Sequence, residues 1–218
     1  MTLGKLELVG DVWIRTGEDG RYDRMVLKEK DWLELPISEA DVVLDVGAYV
    51  GTFARLAAGH GARVISIEPD PDNYALLLRN VDGLTNVATV QAAVVGHVDG
   101  ETVELLRALA PYGHSVNRGG RYGSTTVRAV EFAELLKTHE PTVVKIDIEG
   151  GEWNLLALWD LPDCVRVVAM ELHLTRKAWR KTTEPSLLNS LRTQGFTLVT
   201  ERICGVWRQN KVIVAVRG

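Results

Sequence analysis

Cysteine is scarce: two residues in 218, Cys164 and Cys204, with no CxxC spacing. Each has an apolar neighbour, Val165 or Ile203, so both are predicted to be reduced side chains in the core, and a disulfide-held scaffold is disfavoured. No run of about 18 apolar residues occurs, so no membrane-spanning helix is predicted. Met1-Thr2-Leu3-Gly4-Lys5 passes straight into acidic, alternating sequence with no apolar leader segment, and the expected location is the cytoplasm. Positive charge is also not in surplus. The 25 basic and 29 acidic side chains give a formal charge of −4, which lacks the basic footprint that phosphate contacts need. Nucleic acid is therefore a disfavoured partner. Repeats and low-complexity tracts are absent.

What is present fits one globular domain: 46% hydrophobic and 25% charged residues, in a chain long enough to bury a core without staples. Residues 1–38 read as an N-terminal β extension and 39–218 as the core. In the extension, residues 11–15 and 24–27 read as strands around Gly17-Glu18-Asp19-Gly20, whose Asp-Gly pair signals a turn, and a hairpin is predicted. The core then alternates. Apolar strand runs are read at 42–46, 63–68, 87–90, 143–148 and 165–171. Helical spacing is read at 51–59, 71–81, 132–139, 152–158 and 187–193. The second of these helices is predicted to put Tyr74, Leu77, Leu78 and Val81 on one face. The stretch before Phe132 reads as irregular. Strands alternating with helices mean βαβ units and a parallel sheet, and near-continuous Val/Ile/Leu runs suit strands buried on both faces. Two last strands, 196–199 and 212–216, lack a helical crossover between them and should pair antiparallel. The prediction is a doubly wound, Rossmann-like α/β fold. Its mostly parallel seven-stranded sheet would end in an antiparallel C-terminal strand and follow a short N-terminal hairpin.

Three motifs carry chemistry. In Leu44-Asp45-Val46-Gly47-Ala48-Tyr49-Val50-Gly51-Thr52-Phe53, the glycines permit a tight strand-to-helix turn and close approach of a ligand. A dinucleotide would set its pyrophosphate at this turn, where Asp45 would repel it. A ligand with an amino group and no phosphate suits the charge better, and S-adenosylmethionine (SAM) is such a ligand. Glu68 ends the second strand 23 residues after Asp45, a spacing that suits hydrogen bonds to ribose hydroxyls. The second motif runs from Val143 to Glu152, with Lys145, Asp147 and Glu149 alternating onto one face of a strand. In the third, Met170-Glu171-Leu172-His173, Glu171 and His173 share a face and could converge with Asp147. For the last two motifs, structural ion pairs and a structural histidine are the competing readings.

With these residues in view, the sequence resembles the FkbM-type methyltransferases over about Asp41 to Thr175. The resemblance rests on the first motif, on Ile67-Glu68-Pro69, on Lys145-Ile146-Asp147-Ile148-Glu149-Gly150-Gly151-Glu152, and on Met170-Glu171-Leu172-His173. It implies a class I methyltransferase fold and SAM-dependent O-methylation of a hydroxyl on a small molecule such as a sugar, nucleoside or secondary metabolite. Gly151 stands where the family commonly has alanine.

The expected cofactor-binding residues are Asp45, Gly47, Tyr49, Val50, Gly51, Thr52, Phe53, Glu68, Pro69, Gln91, Ala92 and Ala93. Asp45 and the loop at 47–51 would hold the methionine part, Glu68 would take the ribose, and residues 91–93 would border the adenine. Asp147 or His173 is the expected base, with Glu171 orienting the histidine. No metal is assigned, although Asp147, Glu171 and His173 holding a divalent ion is an alternative. His114, Arg118, Arg121 and Tyr122 lie in a glycine-rich segment that could close over an acceptor. A nicotinamide oxidoreductase, a non-catalytic SAM-binding module and an RNA-modifying enzyme are the competing classes.

Overall fold

A computed structural model describes residues 4–28, 32–116, 122–156, 160–173, 177–204 and 210–218. The chain opens with β1 (Leu6–Val9) and β2 (Val12–Arg15), an antiparallel pair, followed by helix α1 (Gly17–Val26). The hairpin thus lies earlier than the sequence suggests. Residues 17–20 form the first turn of α1, and 24–27, predicted as a strand, are largely helical. Glu18 and Asp19 at the start and Arg24 near the end complement the helix dipole. The helix also carries Asp23 back over β2, where its buried carboxylate meets Arg15 at 2.8 Å. A strand at this position would not bring these charges together.

The core follows as β3 (Val42–Val46), α2 (Thr52–Gly59), β4 (Arg63–Ile67), α3 (Pro71–Asn80), β5 (Val87–Val90), β6 (Ala93–Val95), β7 (Thr102–Leu106), β8 (Ser124–Glu131) and α4 (Phe132–His139). It continues with β9 (Val143–Ile146), α5 (Glu152–Leu156), β10 (Val167–His173), α6 (Lys177–Thr193), β11 (Phe196–Cys204) and β12 (Asn210–Arg217). Seven strands make the central mixed sheet, in the order β11-β12-β10-β9-β3-β4-β5. From β5 to β10 all neighbours are parallel, and β12 is antiparallel to both β10 and β11. Strand order reverses at β3, which separates β4 and β5 on one side from β9 and β10 on the other. In doubly wound sheets ligands bind beyond the carboxyl ends of the strands at such a switch point.

Alternate residues of the parallel strands supply two buried clusters, one on each face of the sheet. Leu44, Ile65, Val144 and Met170 pack on one side, and Val43, Val64, Val143 and Ala169 on the other. A second, three-stranded sheet, β6-β8-β7, occupies the stretch read as irregular. It hides because only one face is apolar: Ala93, Leu105 and Val127 pack together while Glu104 and Arg128 face solvent. Leu78 departs from its predicted face and is 45% exposed; α3 buries Leu76 and Leu77 instead. Cys164 is exposed rather than in the core, with the Pro141 carbonyl 3.5 Å from its Sγ; the side chain of Cys204 lies outside the described residues. No helix among the described residues is long and apolar enough to cross a membrane.

Candidate functional site

A cavity of about 830 Å³ opens beyond the carboxyl ends of β3, β4, β9 and β10. Its floor is built on a polar row that crosses three strands. Register places Asp45 opposite Ser66 on one side and Lys145 on the other. Lys145 Nζ lies 3.3 Å from Asp45 Oδ1 and donates to the Gly47 carbonyl at 2.7 Å. Trp32 and Phe53 rings flank the ammonium at 5.8 and 5.9 Å. Burial works against this charge, but Asp45 and then Asp147 outweigh it and raise the lysine pKa. Asp45, expected at the ligand, is fully buried behind the cavity wall, where its charge is spent on Lys145.

The turn after β3 is held from both sides. Gly47 has φ +85, and a Cβ there would run into the carbonyl oxygen of Asp147. Glycine is therefore required where the β3 and β9 turns abut. At Gly51, with φ +88, a Cβ would lie 2.6 Å from Leu77 Cδ1, so this residue allows α2 to pack on α3. Tyr49 takes φ +51, and its N–H donates to Glu68 Oε2 at 2.9 Å. Glu68 Oε1 accepts from Asp70 N at 3.1 Å and Asn73 Nδ2 at 3.2 Å. Burial drives the Glu68 pKa up to about 7. A carboxylate offers about four lone-pair positions, so the three donors among the described residues leave room for one more.

Sequence reading did not anticipate the next shell. The Tyr49 hydroxyl donates to Asp23 and accepts from Arg15 Nη2 at 2.9 Å. Arg15 Nη1 donates to Asn73 Oδ1 at 2.9 Å. This chain of contacts ties β2 and α1 to the turn and to Glu68. Its members are 58 residues apart between Arg15 and Asn73, which no local pattern can signal.

Opposite the glycine turn stand the ends of β9 and β10. Asp147 and Glu149 follow β9, and Glu171 and His173 close β10. His173 is 3% exposed, with Nδ1 3.0 Å from Glu152 Oε1 and Nε2 3.1 Å from Glu149 Oε2. Burial opposes a charge on the ring, but Glu152 and Glu149 prevail and raise its pKa well above the ordinary value. Both ring nitrogens thus face carboxylates. Glu152, not Glu171, orients the imidazole. Residues two apart on a strand are separated by roughly 7 Å, so Glu171 stands beside His173 rather than against it. The Glu171 carboxylate accepts from Asn210 Nδ2 at 2.6 Å. Burial, then the nearby Glu171 charge, raises the Asp147 pKa well above the carboxylate range.

Of the predicted residues, Gly47, Tyr49, Thr52, Phe53, Glu68, Pro69, Ala92, Ala93, Asp147, Glu171 and His173 line this cavity. Asp45, Val50, Gly51 and Gln91 do not. Val50 is buried against Leu76, and Gln91 is exposed. His114 lines the cavity and stands 3.7 Å from Asp70, whereas Tyr122 is 53% exposed. Arg118 and Arg121 lie outside the described residues.

The Methyltransferase FkbM domain matches residues 45–198, and the chain belongs to that family. It is 29% identical over 150 residues to the hexuronic acid methyltransferase AglP of Haloferax volcanii, covering 66% of this chain and 62% of that protein. The match thus spans less than two thirds of that relative's length. Among solved structures, the fibrillarin pre-rRNA processing protein of Methanococcus jannaschii matches with a TM-score of 0.52 at 16% identity, covering 98% of this chain and 82% of that one. Precorrin-6y C5,15-methyltransferase of Geobacter metallireducens matches with a TM-score of 0.50 at 15% identity, covering 94% and 93%. These two likenesses bear on the fold alone, the Rossmann-like class I methyltransferase fold.

Proposed function

We propose that this chain binds SAM in the cavity at the switch point and methylates a hydroxyl of a small molecule of the sugar class. The observation that carries the reading is the meeting, inside the family-matched segment, of the β3 turn and Glu68 with the acidic ends of β9 and β10. The residues present fit the cofactor. A cavity of about 830 Å³ falls in the range of small-molecule sites, about 300–1,000 Å³. Glu68 keeps one acceptor position open for a ribose hydroxyl. The carboxyl groups of Asp147, Glu149 and Glu171 line the opposite wall, which suits a cationic ligand better than a pyrophosphate.

When bound, SAM supplies an electrophilic methyl group. The protein's part is alignment, which can supply about 7–11 kcal/mol when reacting atoms are held near attack distance. In this reading Tyr49, Thr52, Phe53 and Pro69 border the cofactor, and Ala92 and Ala93 give a flat apolar wall for a base. The Gly47 turn is fixed by Lys145 and cannot drift from the β9 end. The carboxylates at the ends of β9 and β10 receive the acceptor's proton, while His173, held between two glutamates, positions them. The hexuronic acid methyltransferase relative supports a sugar acceptor.

The test is calorimetric titration with SAM, S-adenosylhomocysteine and NAD, followed by transfer of labelled methyl to a panel of sugars and uronic acids. The expected result is one SAM per chain with a dissociation constant in the micromolar range, roughly −8 kcal/mol, no binding of NAD, and label in a sugar. Failure to bind SAM would refute the reading.

A further inference from the structure

We propose that Asp147, Glu149 and His173 form a site for one hard divalent cation of the Mg²⁺ or Mn²⁺ kind at the acceptor end of the cavity. Its catalytic use rests on the methyltransferase reading; its existence does not. One ligand atom from each of the three residues lies within 4.8 Å of the others. Two carboxylates and an imidazole are a donor set for Mn²⁺ or Mg²⁺ rather than for a thiophilic metal.

The surroundings match what a ligating histidine needs. Such a histidine directs its second ring nitrogen to a carboxylate, which fixes the ring and its tautomer. Here Nδ1 faces Glu152 at 3.0 Å, leaving Nε2 on the side of Glu149. Glu152 is itself fixed, its Oε1 accepting from the N–H groups of Ile148 and Gly150 at 3.1 Å each. The orienting carboxylate is therefore anchored in the same turn that carries Asp147 and Glu149. The other Glu152 oxygen, Oε2, is buried and has no hydrogen-bond partner among the described residues. A buried orphan acceptor is costly, and a water on a neighbouring cation would satisfy it. The charge balance points the same way. Asp147, Glu149 and Glu171 line one wall, while the nearby Lys145 is held by Asp45 and the Gly47 carbonyl.

The strand pattern suggests Glu171 as a ligand, but the geometry replaces it with Glu149. Glu171 is left to receive a proton. Coordination positions not filled by protein would take water and the acceptor's oxygens. A hydroxyl held there gives its proton to the Glu171 carboxylate. Its oxygen then bonds to the methyl carbon as the carbon–sulfur bond breaks, and that electron pair stays on the sulfur of S-adenosylhomocysteine.

The experiment is titration of the purified chain with Mn²⁺, followed by electron paramagnetic resonance, without SAM. Wild type should bind one Mn²⁺, displaceable by Mg²⁺. Glu149→Gln, which keeps the side-chain shape, and Asp147→Asn should each weaken binding at least tenfold while circular dichroism stays unchanged. Wild type that binds no Mn²⁺, or two folded variants that bind it as wild type does, would overturn the site. SAM binding measured separately on the metal-free chain tests the methyltransferase reading, so either can fail alone.

Discussion

Lys145→Met should cost about 3–5 kcal/mol of folding stability, the usual price of leaving one partner of a buried ion pair alone. Asp45 is fully buried, and its ammonium partner sits 3.3 Å away. At that distance, with an effective dielectric of about 20, the attraction is of order 5 kcal/mol. The substitution also removes the donor to the Gly47 carbonyl at 2.7 Å. Methionine fills similar volume between Trp32 and Phe53, so loss of packing contributes little. The double variant Asp45→Asn/Lys145→Met removes the stranded charge and should recover about 2–3 kcal/mol, the size of coupling seen between contacting groups. Urea unfolding at pH 7 of wild type, both single variants and the double variant completes the cycle. Because the lysine ties the β3 turn to β9, SAM should bind Lys145→Met at least tenfold more weakly. A loss under about 1 kcal/mol, or a double variant no more stable than Lys145→Met, would refute the reasoning.

Glu68 gives a pH signature. Its folded pKa of about 7 lies above the ordinary 4.5, so the native state holds a proton that the unfolded chain has released. That contribution is full below pH 4.5 and is lost as pH rises to about 7, some 3 kcal/mol by linkage. In urea melts between pH 5 and 7.5, Glu68→Gln should lack this decline; a parallel decline in both proteins would count against it. Tyr49→Phe leaves buried Asp23 and Arg15 short of a partner and should lower stability by about 1–3 kcal/mol, read by thermal unfolding. No change in midpoint would mean the Arg15 network is not coupled to the turn. Gly51→Ala meets both a positive φ and Leu77, and should cost about 1–3 kcal/mol. Gly47→Ala should cost more, because what it meets is the rigid Asp147 backbone. The reverse order, in denaturant unfolding, would contradict the packing described.

The sequence by itself determined what repeats locally. The apolar runs at β3, β4, β9 and β10 are written residue by residue, because strands buried on both faces must be apolar nearly throughout. The glycines at 47 and 51 are legible because positive φ restricts the choice of residue. The acids at 68, 147 and 171 are legible because charge at a strand end is rare without use. What the sequence could not determine is which of these groups meet. Asp45 reads as a ligand-facing acid until register sets it opposite Lys145, a pairing across 100 residues of chain. Glu171 reads as the partner of His173 until α5 swings Glu152 beneath the ring. The hairpin was misplaced because an Asp-Gly pair serves a helix start as well as a turn, and only the buried meeting of Asp23 with Arg15 chooses between them. Local propensity differs by tenths of a kcal/mol between such alternatives, whereas a buried pair is decided by several. Those pairings, and the acidic pocket they leave open, belong to the tertiary structure alone.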